Sequence, residues 1–161
     1  MNWEAIGSVG EVLGAIGVIA TLAYLAVQVR QNTQVMKAQT RDSITNKQLD
    51  YYSSIYENDG SSESYFAAVS KKFDISDQAV VDELFQDKEF QRFALIVLGN
   101  FRLWENEWYQ YQQGLFEPDE FLPRQKNWSK NMSHSAYRIA WSFFRDEFSP
   151  SFRQIIDELE N

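Results

Sequence analysis

The sequence contains no cysteine and a single histidine, His134, among its 161 residues. Disulfide bonds, thiolate nucleophiles and Cys-ligated metal sites are therefore excluded, and one histidine cannot build a multi-histidine metal site. Basic residues are also few, since 15 Lys and Arg oppose 23 Asp and Glu for a formal charge of −8. A protein that coats nucleic acid needs a basic face to neutralise phosphates, so we expect no nucleic-acid partner.

Motifs of the common enzyme classes are missing as well. The chain has no Gly-rich phosphate loop, no H-E-x-x-H and no G-x-S-x-G. His134 lies at a predicted helix start, and we interpret it as a capping or surface residue rather than a metal ligand. Glu105 and Glu107 are two residues apart on one predicted helix, so their side chains point to different sides and form no carboxylate pair. We expect a non-enzymatic protein with no catalytic residues, cofactor or metal.

One long hydrophobic run interrupts this polar composition. Residues 12–27 are sixteen consecutive positions without a charge, and residues 6–29 are interrupted only by Glu11 and Gln28. A helix over residues 6–29 is about 36 Å long, which is enough to cross a bilayer core. A signal peptide would need a positive N-terminal region, where the chain has Glu4, and buried core helices rarely stay apolar for more than about 18 residues. We therefore predict a retained transmembrane helix over these alternatives.

Basic residues follow the hydrophobic run and none precedes it. Arg30, Lys37, Arg41 and Lys47 come after the run, opposed only by Asp42. The positive-inside rule then places the N-terminus outside and the C-terminal domain in the cytoplasm. We expect the first three of these basic side chains to contact anionic lipid headgroups.

Small and polar residues recur along the run at alternating spacings of three and four. Glycines let membrane helices approach closely, and Thr or Gln side chains can donate hydrogen bonds across the contact. The opposite face carries only apolar residues, from Val9 and Val12 to Val27. We predict that the stripe is the interface of a homo-oligomer whose subunit number stays open; its members are Gly7, Gly10, Gly14, Gly17, Thr21, Tyr24 and Gln28.

Glu11 lies at the edge of this glycine stripe and has two interpretations. An ionised carboxylate deep in a bilayer is costly, so Glu11 either reaches the outer interface near the helix N-terminus or lines a cavity. In the second case, a ring of Glu11 carboxylates would form the mouth of a narrow, cation-preferring pore.

The rest of the chain is patterned as helices, with no strand-like alternation of useful length. The predicted fold class is all-α, in which one transmembrane helix continues into a compact cytoplasmic helical bundle. We divide the chain into a transmembrane helix at 1–31, a juxtamembrane helix at 32–57 and a helical domain at 58–161. From residue 48 onward, 11 basic residues oppose 20 acidic ones, so the domain is acidic.

Capping signals predict where the helices of the domain begin and end. Ser62 is predicted to cap a helix to Lys72, and Ser76 or Asp77 to cap one to Phe85. The longest helix is predicted from Asp87 to Gln113, ended by Gly114. This helix has two apolar sides, so we predict that it lies at the centre of the bundle. The first side is a heptad pattern formed by Phe90, Ala94, Val97, Phe101, Trp104, Trp108, Tyr111 and Leu115. The second side is formed by Leu95, Ile96 and Leu103.

Three further signals lie in the last third of the chain. Pro118 is typical of a first helical position, and Pro123 is expected to make that helix irregular or delay its start. Ser133 is predicted to cap a helix to Asp146, and Pro150 to open the last helix. The aromatic residues of this region either pack as core, which heptad spacing favours, or stack a ring ligand; they are Trp104, Trp108, Tyr109, Tyr111, Trp128, Tyr137 and Trp141.

Three segments at the two ends of the chain form recognisable motifs. They are G-E-V-L-G-A-I at residues 10–16, Y-L-A-V-Q-V-R-Q-N-T at residues 24–33 and F-S-P-S-F-R at residues 148–153, the last preceded by Trp141 and followed by Ile156 and Asp157. In these segments the chain resembles a group of small, uncharacterised bacterial membrane-anchored proteins. The resemblance implies a bacterial inner-membrane location and a cytoplasmic helical domain, and it carries no activity.

Two functional hypotheses follow from the sequence. In the first, glycine-striped helices assemble copies of the chain into a membrane scaffold, in which a narrow pore is possible, and its partners are the same chain and membrane lipid. In the second, the membrane helix is only an anchor, and the acidic domain is a sensor or adaptor for a small ligand or a cytoplasmic protein. We favour the first, because the stripe exceeds what a simple anchor requires.

Overall fold

The computed structural model describes residues 2–159, which contain seven α-helices and no strand, so the all-α prediction is confirmed. Residues 1, 160 and 161, the outer limits of the predicted segments, lie outside the described residues. The helices are α1 (Trp3–Tyr56), α2 (Asp59–Ser70), α3 (Gln78–Leu84), α4 (Lys88–Gln112), α5 (Pro118–Met132), α6 (Ser135–Phe144) and α7 (Pro150–Leu159), with a 3-10 turn at Arg145–Glu147.

The chain divides into two compact units between Gln39 and Thr40, inside α1. The first unit is the N-terminal part of α1. The predicted continuation of this helix to about residue 57 is present, because α1 runs without a break to Tyr56. The second unit contains the end of α1 and the helices α2 to α7.

Helix α4 is central to the second unit because it contacts α2, α5 and α6. The first five heptad positions of α4, from Phe90 to Trp104, are buried as predicted. Leu95, in contrast, was expected on a second apolar side and is 65% exposed, so α4 is not covered all round. Helices α6 and α7 contribute further buried side chains to the same core, which are Ala136, Tyr137, Ile139, Ala140, Trp141, Phe144, Phe152, Ile155 and Ile156.

Several helix ends lie where the sequence predicts them. The Asp77 side chain accepts a hydrogen bond from the Ala79 N–H at 2.9 Å and caps α3, and Asp87 caps α4 in the same way through Glu89. Gly114 follows α4 with φ at 67°, a left-handed conformation in which any Cβ would be strained. Pro118 begins α5 and Pro150 begins α7.

The predicted cap of α2 is wrong. Asn58, not Ser62, is the N-cap, and its Oδ1 accepts a hydrogen bond from the Ser61 N–H at 3.2 Å. The helix therefore begins at Asp59 and includes Gly60, whose carbonyl oxygen accepts from Arg92 Nη1 at 3.4 Å. An earlier cap is favoured because it satisfies the first backbone N–H groups, which outweighs one glycine in the first turn.

Two predictions on α5 and α6 are also wrong. Ser133 is the C-cap of α5, and its hydroxyl donates to the Lys130 carbonyl at 2.7 Å instead of capping α6. The N-cap of α6 is His134, whose side chain makes no capping hydrogen bond. Pro123 neither breaks nor delays α5, because its fixed φ suits a helix and the buried Phe121 and Trp128 hold the helix on either side.

Candidate functional site

The hydrophobic run is carried by α1, the one helix in residues 2–159 that is long and apolar enough to cross a membrane by length and composition. None of its apolar window is buried by the rest of the chain. The large apolar side chains of this stretch are exposed, among them Ile6, Leu13 and Leu25. A large apolar surface of this kind has to be covered by lipid or by another protein.

The glycine stripe lies on this exposed helix with open space beside it. A Cβ atom built on Gly7, Gly10, Gly14 or Gly17 would meet no atom within 4 Å. The polar members of the stripe differ in their environment: the Thr21 hydroxyl donates to the Gly17 carbonyl at 2.8 Å, whereas Tyr24 is exposed and Gln28 half-buried. Among residues 2–159, no atom fills the space that the four glycines leave on this face of α1.

The charged residues predicted to act at the membrane surface lie in different environments. Glu11 and Arg30 are exposed, and Lys37 is half-buried. Arg41 Nε lies 3.0 Å from Glu120 Oε1, so this cation is already paired with a carboxylate of α5.

Four members of the aromatic set are core residues rather than an open stacking platform. Trp104, Trp128, Tyr137 and Trp141 are almost completely buried, whereas Tyr109 is exposed. The ring of Trp104 stacks with two of the others: its centroid lies 5.4 Å from that of Trp128 and 6.1 Å from that of Tyr137. Stacked and edge-on pairs of this kind stabilise a core beyond the area that they bury.

A cluster of polar side chains around the buried Glu107 carboxylate connects the end of α1 to α4 and α5. The Glu107 side chain is 1% exposed, and its Oε1 accepts hydrogen bonds from Gln48 Nε2 at 2.7 Å and from Arg124 Nη1 at 3.0 Å. Burial raises the pKa of the Glu107 carboxyl above its usual range, and the positive charge of Arg124 opposes this by less. With no nucleophile among its partners, the cluster is suited to fixing helices.

The sequence contains a signal for this cluster that is independent of the common enzyme motifs. Phe93, Asn100 and Glu107 are spaced by sevens on α4, and all three are buried. Two polar residues in register with a buried phenylalanine indicate polar side chains that require partners in the core. The Asn100 amide finds one in the Tyr137 hydroxyl at 3.1 Å.

A polar cavity of about 250 Å³ lies beside this cluster, between the end of α1, α4 and α5. Gln48 and Arg124 line it, together with Tyr51 and Asn127. Tyr51 and Asn127 also line a second opening of about 180 Å³. The hydroxyl of Tyr51 is buried and has no hydrogen-bond partner among residues 2–159, so this wall of the cavity contains one unsatisfied polar group.

Comparison with protein-family models, curated proteins and solved structures found no match to this chain. Among residues 2–159, no group of three His, Asp or Glu side chains is placed to hold a metal ion. The features of the chain that bear on its function are therefore the exposed apolar helix and the polar groups of the helical domain.

The raised pKa of Glu107 predicts a pH-dependent difference between the natural protein and Glu107→Gln. A folded-state pKa above the ordinary value of 4.5 means that the folded protein holds this proton more tightly than the unfolded chain does. Stability from Glu107 is thus fully present below pH 4.5 and lost as the pH rises through the folded pKa. The measurement is the free energy of unfolding of both proteins, by denaturant unfolding from pH 4 to 8. As the pH rises, the natural protein should lose stability relative to Glu107→Gln.

Asp157 does not disturb this comparison. Its pKa is lowered, mainly by hydrogen bonds from Arg145, so its contribution has the opposite sign and is lost as the pH falls. Because both proteins contain Asp157, its effect cancels in the difference. A difference that stays constant over the range would contradict the assignment.

Proposed function

We propose that the protein is a membrane assembly: α1 crosses a membrane, copies of the chain associate through the glycine stripe, and the acidic helical domain is presented in the cytoplasm. The observation that carries the proposal is the complete exposure of the apolar window of α1. The core helix of a soluble protein would be mostly buried by its own chain, and a lipid environment removes the cost of this exposed surface.

The proposed orientation rests on the basic residues after the run. Arg30, Lys37 and Arg41 would lie at the cytoplasmic surface, where anionic lipids favour cations, and the acidic domain would be held off the headgroups. The resemblance of both chain ends to bacterial membrane-anchored proteins points to a bacterial inner membrane. Besides this proposed lipid contact, Arg41 forms an ion pair with Glu120 that connects the end of α1 to α5.

The proposed self-association rests on the open groove along the stripe. Four glycines with no neighbouring atom allow a second helix to approach closely, and close approach is what drives association where lipid removes the hydrophobic effect. With one such helix in the described chain, the same helix of another copy is the natural partner. A scaffold is the minimal function of such an assembly; a pore lined by Glu11 is an extension of it.

Replacing Gly10 and Gly14 with leucine is expected to convert a discrete oligomer into a monomer. Each leucine fills the groove and separates the helix axes, so the close contacts of the stripe are lost. The measurement is the mass of the full-length protein in mild detergent, by light scattering or native mass spectrometry.

A matched control uses the opposite face of the same helix. Ala20→Leu and Ala23→Leu also replace small residues with leucine, but on the face proposed to contact lipid, so the oligomer should persist. A natural protein that is monomeric, or an oligomer equally stable in both double variants, would overturn the proposed interface.

A second candidate function is a membrane-anchored sensor or adaptor, in which α1 is only an anchor and the helical domain binds a small ligand or a partner protein. The observation that favours it is the polar cavity beside Glu107, where the Tyr51 hydroxyl lacks a partner. A monomeric full-length protein in the experiment above would favour this function over the scaffold.

A further inference from the structure

One arginine of the second unit has no carboxylate partner among the described residues. In the second unit, six arginines have a carboxylate oxygen within 3.5 Å: Arg41, Arg92, Arg102, Arg124, Arg145 and Arg153. Arg138 is the seventh, and no carboxylate of residues 2–159 lies within 4.0 Å of it. A cation left without a carboxylate in a chain of net charge −8 is unexpected, since acidic residues outnumber basic ones.

The environment of Arg138 makes its charge more attractive to an anion. The Nε atom of Arg138 is buried and has no hydrogen-bond partner in the described part of the chain, while the side chain as a whole is half-buried on α6. A partly desolvated guanidinium interacts more strongly with an opposite charge than one in bulk water does, and it presents a planar set of donors that suits a carboxylate.

Arg138 lines the wall of an open groove of about 920 Å³ between α3 and α6. Ile75, Val81 and Phe85 form the α3 side of the groove, and Phe143 belongs to the α6 side. The rings of Phe85 and Phe143 are stacked with centroids 4.2 Å apart, yet Phe143 remains 61% exposed. The volume falls within the range of about 300–1,000 Å³ that is typical of small-molecule sites.

The second charged group in the groove limits which anion would fit. Asp82 lies on α3 in the same lining and accepts a hydrogen bond from Gln78 Nε2 at 2.8 Å. A phosphate or a dicarboxylate would bring a second negative charge towards Asp82, whereas a single carboxylate can be matched by Arg138 alone. The exposed face of Phe143 favours an aromatic ring as the apolar part of the ligand.

From this combination we infer that the groove between α3 and α6 binds a small aromatic monocarboxylate, with its carboxylate on Arg138 and its ring against Phe85 and Phe143. The inference goes beyond the membrane assembly and is independent of it, since the groove belongs to the helical domain alone. The inference assigns aromatic monocarboxylates to the helical domain as its class of ligand.

The test uses full-length protein in lipid nanodiscs and 4-phenylbutyrate as the probe, observed by saturation-transfer NMR with empty nanodiscs as the blank. We expect binding of 4-phenylbutyrate, and at least tenfold weaker binding of 4-phenylbutanol, which lacks the charge, of 4-phenylbutylamine, which reverses it, and of acetate, which lacks the ring. Equal binding of the alcohol, or no binding of the carboxylate at millimolar concentration, would overturn the inference.

Variants locate the site. Arg138→Met keeps the aliphatic stem and removes the charge, so binding should fall at least tenfold, and Arg138→Lys should recover part of it. Arg92→Met removes an exposed arginine outside the groove and should bind as the natural protein does. Phe143→Ala should weaken binding at least threefold; because this ring is exposed, the variant decides the question if Arg138→Met disturbs folding. Unchanged binding in Arg138→Met or in Phe143→Ala would contradict the assignment.

Discussion

Replacing Phe101 with alanine is expected to lower the free energy of unfolding of the helical domain by about 4 kcal/mol. Phe101 is 0% exposed, and its ring lies 5.1 Å from that of Trp141 and 5.4 Å from that of Trp104, centroid to centroid. Tyr137 and Phe148 complete its surroundings at 6.0 and 6.1 Å. These four rigid rings cannot collapse into the space left by the phenyl group, so a cavity remains.

The measurement is urea unfolding of the full-length protein in mild detergent, followed by near-ultraviolet circular dichroism, which reports the packed aromatic residues of the domain. Leu95→Ala is the matched control on the same helix, because Leu95 is 65% exposed. Its effect should stay within about 0.5 kcal/mol. If the two variants lose similar stability, the central position of Phe101 is contradicted.

Replacing Glu107 with alanine is expected to lower the free energy of unfolding by about 3 kcal/mol. The loss has two sources: Gln48 and Arg124 each lose an acceptor in a partly buried position, and a small cavity replaces the carboxylate. Glu107→Gln should lose much less, since its amide oxygen can still accept both hydrogen bonds. The same urea experiment measures all the variants.

The control for this prediction is an ion pair of the same length on the surface. Arg102 Nη2 and Glu147 Oε2 are 3.0 Å apart, as are Arg124 Nη1 and Glu107 Oε1, but 52% of the Glu147 side chain is exposed, against 1% for Glu107. Glu147→Ala should therefore cost less than about 1 kcal/mol. Equal losses in Glu107→Ala and Glu147→Ala would show that burial does not decide the strength of these pairs.

Local patterns were sufficient for the helical fold. The heptad from Phe90 to Trp104 predicted the buried face of α4, and Asp77, Asp87 and Gly114 predicted helix ends, because each of these signals acts within a few residues. The choice of cap among neighbouring polar residues was wrong at Ser62 and Ser133, and burial was predicted wrongly where distant residues determine it. Leu95 belongs to an apolar side that no other helix covers.

The candidate sites depended even more on distant residues. Glu107 appeared as one of two unpaired acids, since Gln48 lies 59 residues away along the chain and Arg124 17 residues away. Similarly, the sequence does not show that Arg138 lacks a carboxylate partner, because ion pairs between helices become known only from the structure. The glycine stripe was readable because its members lie on one helix, whose periodicity is set by local geometry.

The placement of the tryptophans gives the protein two separate optical reporters. Trp104 and Trp128 stack at an angle of 16°, and Trp141 is buried in the same core, whereas Trp3 is exposed at the start of α1. Coupled indoles in a rigid core produce intense near-ultraviolet dichroism that disappears when side-chain packing loosens, even while helices persist. In the proposed membrane assembly, a quencher dissolved in lipid would instead reduce the fluorescence of Trp3. The tryptophan signals would therefore distinguish loosening of the domain from movement of the proposed membrane helix without any added dye.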